Sequence, residues 1–213
     1  MLDALVAAAE AAAATLALPE VDARWDEPSA LAGMTVGALA GHFEAGLARL
    51  DAFLQGPEPD PSAARHVGVG EFFGTNRITT PAEHEDGMHA FIRLDAAERG
   101  AVGPDAVRAS FATTWASLQT ALVGVAPDRR LPTKLPGTWT TLEVYLPTRV
   151  LELAVHTDDL RCSVGAPDLV PAPEVADAVL GVGLALARAA SGDVLVLRAF
   201  FRGERATSVL PVL

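Results

Sequence analysis

Between Tyr145 and Leu160 the chain runs Tyr-Leu-Pro-Thr-Arg-Val-Leu-Glu-Leu-Ala-Val-His-Thr-Asp-Asp-Leu. At about 100° per residue, Glu152 and His156 stand one above the other on a helix, with Arg149 and Asp159 three residues to either side and Tyr145 on the same stripe. Val150, Leu151, Leu153, Ala154, Val155 and Leu160 cover the remaining faces. A helix that is apolar nearly all round belongs in the middle of a bundle. Its single polar stripe then needs partners, because unpaired buried charge costs several kcal/mol.

The rest of the chain supplies the other helices. An Ala- and Leu-rich helix is expected from about Leu2 to Leu16, stopped by Pro19. Thr35 is placed as an N-cap for a helix whose stripe is Leu39, Phe43, Leu47, Leu50 and Leu54, ended by the Gly56–Pro61 run. Residues 62–79 show no sustained period and read as a long loop. Thr80-Pro81-Ala82-Glu83 has the form of a capping box opening a helix to about Glu98. Pro104 opens another, with Val107, Phe111, Trp115, Leu118 and Leu122 as its stripe, closing near Pro127. Thr140 and Glu143 form a second capping box ahead of the segment ending near Gly165. A further helix is expected from about Pro173 to Ala190; Val194–Phe201 suits either a strand or a helix capped by Asp193, and residues 203–213 look irregular. Long amphipathic helices without βα alternation predict an all-α protein, an up-down four-helix bundle over residues 1–165 with a short helical extension over 166–213 packed on it.

Composition narrows the function. The 213 residues carry 16 basic against 27 acidic side chains, a net charge of −11, and Arg129-Arg130 is the one basic doublet. Such a field disfavours nucleic-acid partners. No uncharged apolar stretch reaches the ~18–20 residues of a membrane span, and the N-terminus lacks a basic leader. The single cysteine, Cys162, excludes an internal disulfide framework and suits a reducing cytoplasm. It reads as a small buried hydrophobe rather than a nucleophile, which would want an electropositive setting.

A divalent metal held by Glu152 and His156 would satisfy the polar stripe, with Asp159 placed to accept from the second ring nitrogen of His156. A third ligand is needed, and His42 is the best candidate: it lies mid-helix, and its neighbours Gly41 and Gly46 leave room for close approach. Two His and one Glu leave coordination positions for water or substrate, as in catalytic zinc sites. The same spacing also suits an ordinary i,i+4 pair with Arg149 beside Glu152, and His42 also suits a satisfied core histidine. His66, His84 and His89 read as surface or rim residues. Trp25, Phe43, Trp115 and Trp139 read as core.

The pattern Thr35-Val36, Leu39, His42, then Trp139, Tyr145-Leu146, Arg149, Glu152, Val155-His156 and Asp159-Leu160, resembles the mycothiol-dependent maleylpyruvate isomerase N-terminal-domain family, within the DinB/YfiT-like metal-binding bundles. The resemblance spans roughly residues 1–165. It implies zinc, or another divalent ion such as nickel, held by His42, Glu152 and His156. It implies a cytoplasmic enzyme using a low-molecular-weight thiol of the mycothiol type, whose metal-favoured thiolate attacks an electrophilic small molecule for S-transfer or cis–trans isomerisation. Catalytic roles then fall to Asp159, orienting His156, and Arg149, anchoring a substrate carboxylate or neutralising a neighbouring acid. The family's usual Trp before Thr-Val is Met34 here, and Pro147 falls inside the late helix or at its start. Only about 45 residues follow Ala166, whereas the isomerase proper carries a further C-terminal domain, so maleylpyruvate itself is not the expected substrate. The alternative expectation is a non-catalytic metal-binding bundle serving as a regulatory or partner-binding module; a homodimer is left open.

Overall fold

The computed structural model describes residues 1–74, 88–133 and 136–205, the side chains of 73, 74, 88 and 89 excepted. In chain order these form α1 (Leu2–Leu16), α2 (Pro19–Ala23), α3 (Val36–Gln55), β1 (Arg65–His66), α4 (Val69–Gly74), α5 (Met88–Gly100), α6 (Pro104–Ala121), β2 (Arg130–Pro132), β3 (Thr138–Thr141), α7 (Leu142–Val164), α8 (Pro173–Ser191) and α9 (Asp193–Phe201), with a 3-10 turn at Gly203–Arg205.

Helices α1, α3, α6 and α7 close a ring: α1 touches α6 and α7, and α3 touches the same two from the other side. The periodic residues explain the ring. Leu5, Ala8, Ala9 and Ala12 of α1 meet Leu39, Phe43, Leu47 and Leu50 of α3, Phe111 and Leu118 of α6, and Tyr145, Val150 and Leu160 of α7 in one buried cluster. Small alanines on α1 let the neighbouring helices approach while larger side chains fill the space between. Helix α5 lies outside the ring on α3, and α8 covers α7, α1 and α4. The fold is therefore the expected helical bundle with helices added to its flanks. Among the described residues no helix is long and apolar enough to cross a membrane.

Several local expectations hold. Thr35 caps α3, its hydroxyl accepting from the Ala38 amide at 3.1 Å. Helix α7 ends on Gly165 in the left-handed conformation, φ 70°, where glycine avoids a Cβ clash. Residues 193–201 are helical, and Asp193 is the first helical residue, with Gly192 as the cap. The box at Thr80–Glu83 lies outside the described residues, as does His84; of His89 only the backbone, in α5, is described.

Others are corrected. The loop expected over residues 62–79 contains β1 and α4, and β1 joins β3 and β2 in a small sheet of order β1-β3-β2. Strand β1 runs parallel to β3, and β2 antiparallel. A two-residue strand has no period to detect; what anchors it is long-range, the Trp139 indole donating to Ala64 O at 3.0 Å and the Thr140 hydroxyl to Val67 O at 2.9 Å. Thr140 is therefore in β3 and caps nothing. The first amides of α7, Leu142 and Glu143, donate instead to Arg129 O and Pro127 O, so carbonyls of a preceding turn do the work of the expected box. Pro147 is interior to α7, where it leaves one carbonyl of the preceding turn without its helical donor.

Cys162 is exposed, not buried. With Val155 and Asp158 it shares a strip of α7 that faces outward, so that helix is less uniformly apolar in its surroundings than its composition predicts. Trp25 and Trp115 are half-buried at the edge of the core and Trp139 is half-buried in the small sheet beside His66, whereas Phe43 is inside the core. The indole N–H of Trp25 donates to Gly100 O at 3.0 Å and that of Trp139 to Ala64 O; each polar edge reaches a backbone carbonyl that a central position would not offer.

Candidate metal centre

The bundle brings the polar stripe of α7 against α3. His42, Glu152 and His156 each turn one ligand atom to a common point, the three atoms lying within 4.8 Å of one another. His42 Nε2 is 3.7 Å from Glu152 Oε2, and His156 Nε2 is 3.4 Å from the same oxygen. The two imidazole rings meet edge to face, 4.9 Å between centroids, and Phe43 lies across His156 at 6.4 Å.

These separations exceed the ~2.7–2.9 Å of a charge-assisted hydrogen bond, so the three groups converge without bonding one another. Ligands about 2.0–2.1 Å from a tetrahedral ion stand about 3.3–3.4 Å apart, close to the His156–Glu152 spacing. Two imidazole nitrogens and a carboxylate oxygen are a donor set that suits zinc and its neighbours. The residues present thus fit a divalent ion. The His42, Glu152 and His156 side chains keep 17, 30 and 16 % exposure, so the cluster is not sealed in the core.

The surrounding groups orient the cluster. His156 Nδ1 is 2.9 Å from Asp159 Oδ2; with the proton on Nδ1, the Nε2 lone pair faces Glu152 and His42. Arg149 Nη2 is 3.8 Å from Glu152 Oε1. Its guanidinium lies over the Tyr145 ring, 4.8 Å from the centroid, and Nε donates to the Thr148 hydroxyl at 3.2 Å. Tyr145 is fully buried and wedged edge-on by Phe53 and Phe72. It therefore shares the stripe as a platform for Arg149, away from the convergent point. Of the glycines, Gly46 does leave room for the site: a Cβ there would lie 3.4 Å from Arg149 Nη1. The space beside Gly41 goes to α5, whose Ala96 carbonyl and Gly100 amide would each be 2.8 Å from a Cβ.

Charge follows from these contacts. Burial alone would raise the Glu152 carboxyl, but the two histidines and Arg149 overcome it and hold the group well below the usual carboxylate range. Burial alone would lower His156; its hydrogen bond to Asp159 and the Glu152 carboxylate beside it outweigh that and push it up to about 9. In the metal-free protein His156 is thus an imidazolium between two carboxylates at neutral pH. A raised folded-state value stabilises fully below the ordinary 6.5 and is lost as pH rises through about 9. Metal-free protein is expected to lose of order 2–3 kcal/mol across that window. Urea unfolding at about pH 6 and about pH 10 measures it against His156→Asn, which should lack that part of the slope.

One buried charge was not anticipated from sequence. Glu44, on α3, bonds the Arg99 guanidinium of α5, and its other oxygen accepts from Thr114 of α6 at 3.2 Å. It ties three helices together on the side of α3 away from His42. A glutamate within an apolar helix was the available signal; its partners, 55 and 70 residues away, were not readable. His66 is exposed, as expected for a rim residue.

The family profile of the mycothiol maleylpyruvate isomerase N-terminal domain matches residues 5–161. Among solved structures, a crystal structure of a mutant of mycothiol-dependent maleylpyruvate isomerase aligns over 87 % of this chain and 67 % of its own, with TM-score 0.53 and 20 % identity. At that identity the likeness speaks for the fold. None of the curated proteins matches this chain in sequence.

Proposed function

Because the chain belongs to the mycothiol maleylpyruvate isomerase N-terminal domain family, we propose that it is a divalent-metal-dependent enzyme that uses a low-molecular-weight thiol of the mycothiol type. The reaction is S-transfer to, or cis–trans isomerisation of, an electrophilic small molecule. The observation that carries this reading is the convergence of His42, Glu152 and His156 within 4.8 Å on a partly open face.

In this reading His42 and His156 supply two nitrogens and Glu152 an oxygen to zinc, or to nickel. The ion, when bound, lowers the pKa of a coordinated thiol and so provides a nucleophile at neutral pH. The protein's own residues do the rest. Asp159 holds the proton on His156 Nδ1, which keeps Nε2 free as a donor and fixes the ring. Phe43 backs the His156 ring and narrows the motion open to it. Arg149, held over the Tyr145 ring, offers its terminal nitrogens to a substrate carboxylate beside Glu152.

Cobalt-substituted protein tests the proposal. Adding mycothiol, or N-acetylcysteine as a simple surrogate, should produce a thiolate-to-cobalt charge-transfer band in the near ultraviolet. His42→Ala should not show it. Cobalt bound without any thiol band would replace the enzyme by a non-catalytic metal-binding bundle. No cobalt bound at all would reduce the stripe to an ion-pair network.

A further inference from the structure

We propose that Arg49 and Arg149 form a carboxylate-binding subsite in the seam between α3 and α7, beside the histidine–glutamate cluster. On α3, His42, Gly46, Arg49 and Phe53 follow at steps of four, three and four residues, which is one helical stripe. Three of the four face α7: His42 approaches Glu152, Gly46 adjoins Arg149, and Phe53 packs on Tyr145. Arg49 sits between the last two, so its stem starts into the same seam. From His42 the stripe rises about 6 Å to Gly46 and about 10 Å to Arg49. The two side chains thus start from opposite walls of one seam, Arg49 from the turn of α3 between Gly46 and Phe53 and Arg149 from α7 opposite.

Neither arginine has the counter-charge its burial calls for. Arg149 has only 7 % of its side chain exposed. Among the described residues its one hydrogen bond runs from Nε to Thr148, and Glu152 stands 3.8 Å from Nη2. That carboxylate is shared with both histidines through its other oxygen. Among the described residues the unpaired side-chain atoms that are fully occluded are the hydroxyls of Thr141 and Thr157; the Arg149 terminal nitrogens are not among them, so they meet accessible space. Arg49 is half-buried and, among the described residues, has no hydrogen bond or ion pair. Most other arginines are matched: Arg99 to Glu44 and Asp95, Arg108 to Asp22 and Asp105, Arg129 and Arg130 to Glu58. Two under-compensated guanidiniums on one seam of a chain with net charge −11 make a local positive patch in an acidic field. Guanidinium geometry suits carboxylate, which it grips with parallel N–H donors.

The subsite deepens the proposed function, because a carboxylate held there would set the distance of a substrate's reacting carbon from the cluster. Its binding does not itself require metal. Calorimetric titration of metal-free protein with succinate, and with neutral succinamide, therefore separates the two ideas. Succinate is expected to bind at least about tenfold more tightly than succinamide. Arg49→Met should remove about tenfold or more of that preference, and Arg49→Lys should recover part of it. Arg149→Met should do the same, and since Arg149 is buried, Arg49→Met decides the matter should that variant fold poorly. Unchanged succinate binding in Arg49→Met overturns the proposal. Sulfate binding as tightly as succinate overturns the carboxylate assignment. Zinc titration of Arg49→Met reads the cluster separately: wild-type zinc affinity with lost succinate binding supports the subsite, and succinate bound by a chain that takes no zinc leaves the subsite standing without the proposed enzyme.

Discussion

Protein dialysed against zinc and then against metal-free buffer should retain close to one ion per chain, and His42→Ala or His156→Ala should retain almost none. The magnitude follows from ligand count. Complete four-ligand zinc sites bind with about 10–16 kcal/mol, or about 2.5–4 kcal/mol for each ligand, so deletion of one should weaken binding by roughly a hundred- to a thousandfold. Glu152→Gln should fall between wild type and the histidine variants, since the amide oxygen still donates but the charge is gone. Asp159→Asn tests orientation rather than ligation. It keeps all three donors but loses the carboxylate that fixes the His156 tautomer at 2.9 Å, and it should cost about 10–100-fold in affinity. Thermal unfolding with and without zinc gives a second readout, because an ion that binds only the folded chain raises its stability by mass action. Zinc retained by both histidine variants as firmly as by wild type would place the ion elsewhere and sink the assignment.

That expectation could be framed before any coordinates because the cluster's residues obey a local rule. Glu152, His156 and Asp159 are one turn apart on a single helix, and Val150, Leu151, Leu153, Ala154, Val155 and Leu160 around them say that the helix lies in the bundle. His42 was harder: it sits 110 residues from Glu152, and only its small neighbours and the resemblance pointed to it. The two glycines beside His42 differ for a physical reason. Gly46 opens space toward Arg149 while Gly41 faces α5, and five residues on a helix is a change of face. What stayed illegible was long-range and aperiodic. Strand β1 exists because Trp139 and Thr140 find the carbonyls of Ala64 and Val67, and Cys162 falls with Val155 and Asp158 on an outward strip of α7 that composition does not mark. Capping at Thr35 was readable since donor and acceptor are three residues apart; capping of α7 was not, since its acceptors come from the turn before β2.

Packing yields the second large effect, at Gly100. A Cβ there would fall on the Gly37 carbonyl, 2.5 Å from its carbon, and 2.8 Å from the Ala38 amide nitrogen. These are backbone atoms of α3, so no side-chain rotation relieves the contact and α5 must move away. The Trp25 indole lies against Gly37 and donates to Gly100 O at 3.0 Å, so the same shift would strain that bond. Helix propensity alone favours alanine over glycine by about 1 kcal/mol, and it works against the clash. Gly100→Ala is nonetheless expected to destabilise by roughly 2–4 kcal/mol, at or above the usual cost of overpacking, which for a chain of this length lowers Tm by roughly 5–15 °C. Gly181→Ala on α8 is the matched control: a Cβ there meets nothing within 4 Å, so propensity acts alone and stability should hold or rise slightly. Differential scanning calorimetry of the two variants side by side checks this, and a Gly100→Ala protein as stable as wild type would mean that α5 does not sit against α3 at Gly37. The consequence reaches the cluster because Gly41, adjacent to His42, is pressed by the same helix at Ala96 and Gly100. A displaced α5 removes the support behind that turn of α3, so Gly100→Ala should also weaken zinc binding although no ligand is changed.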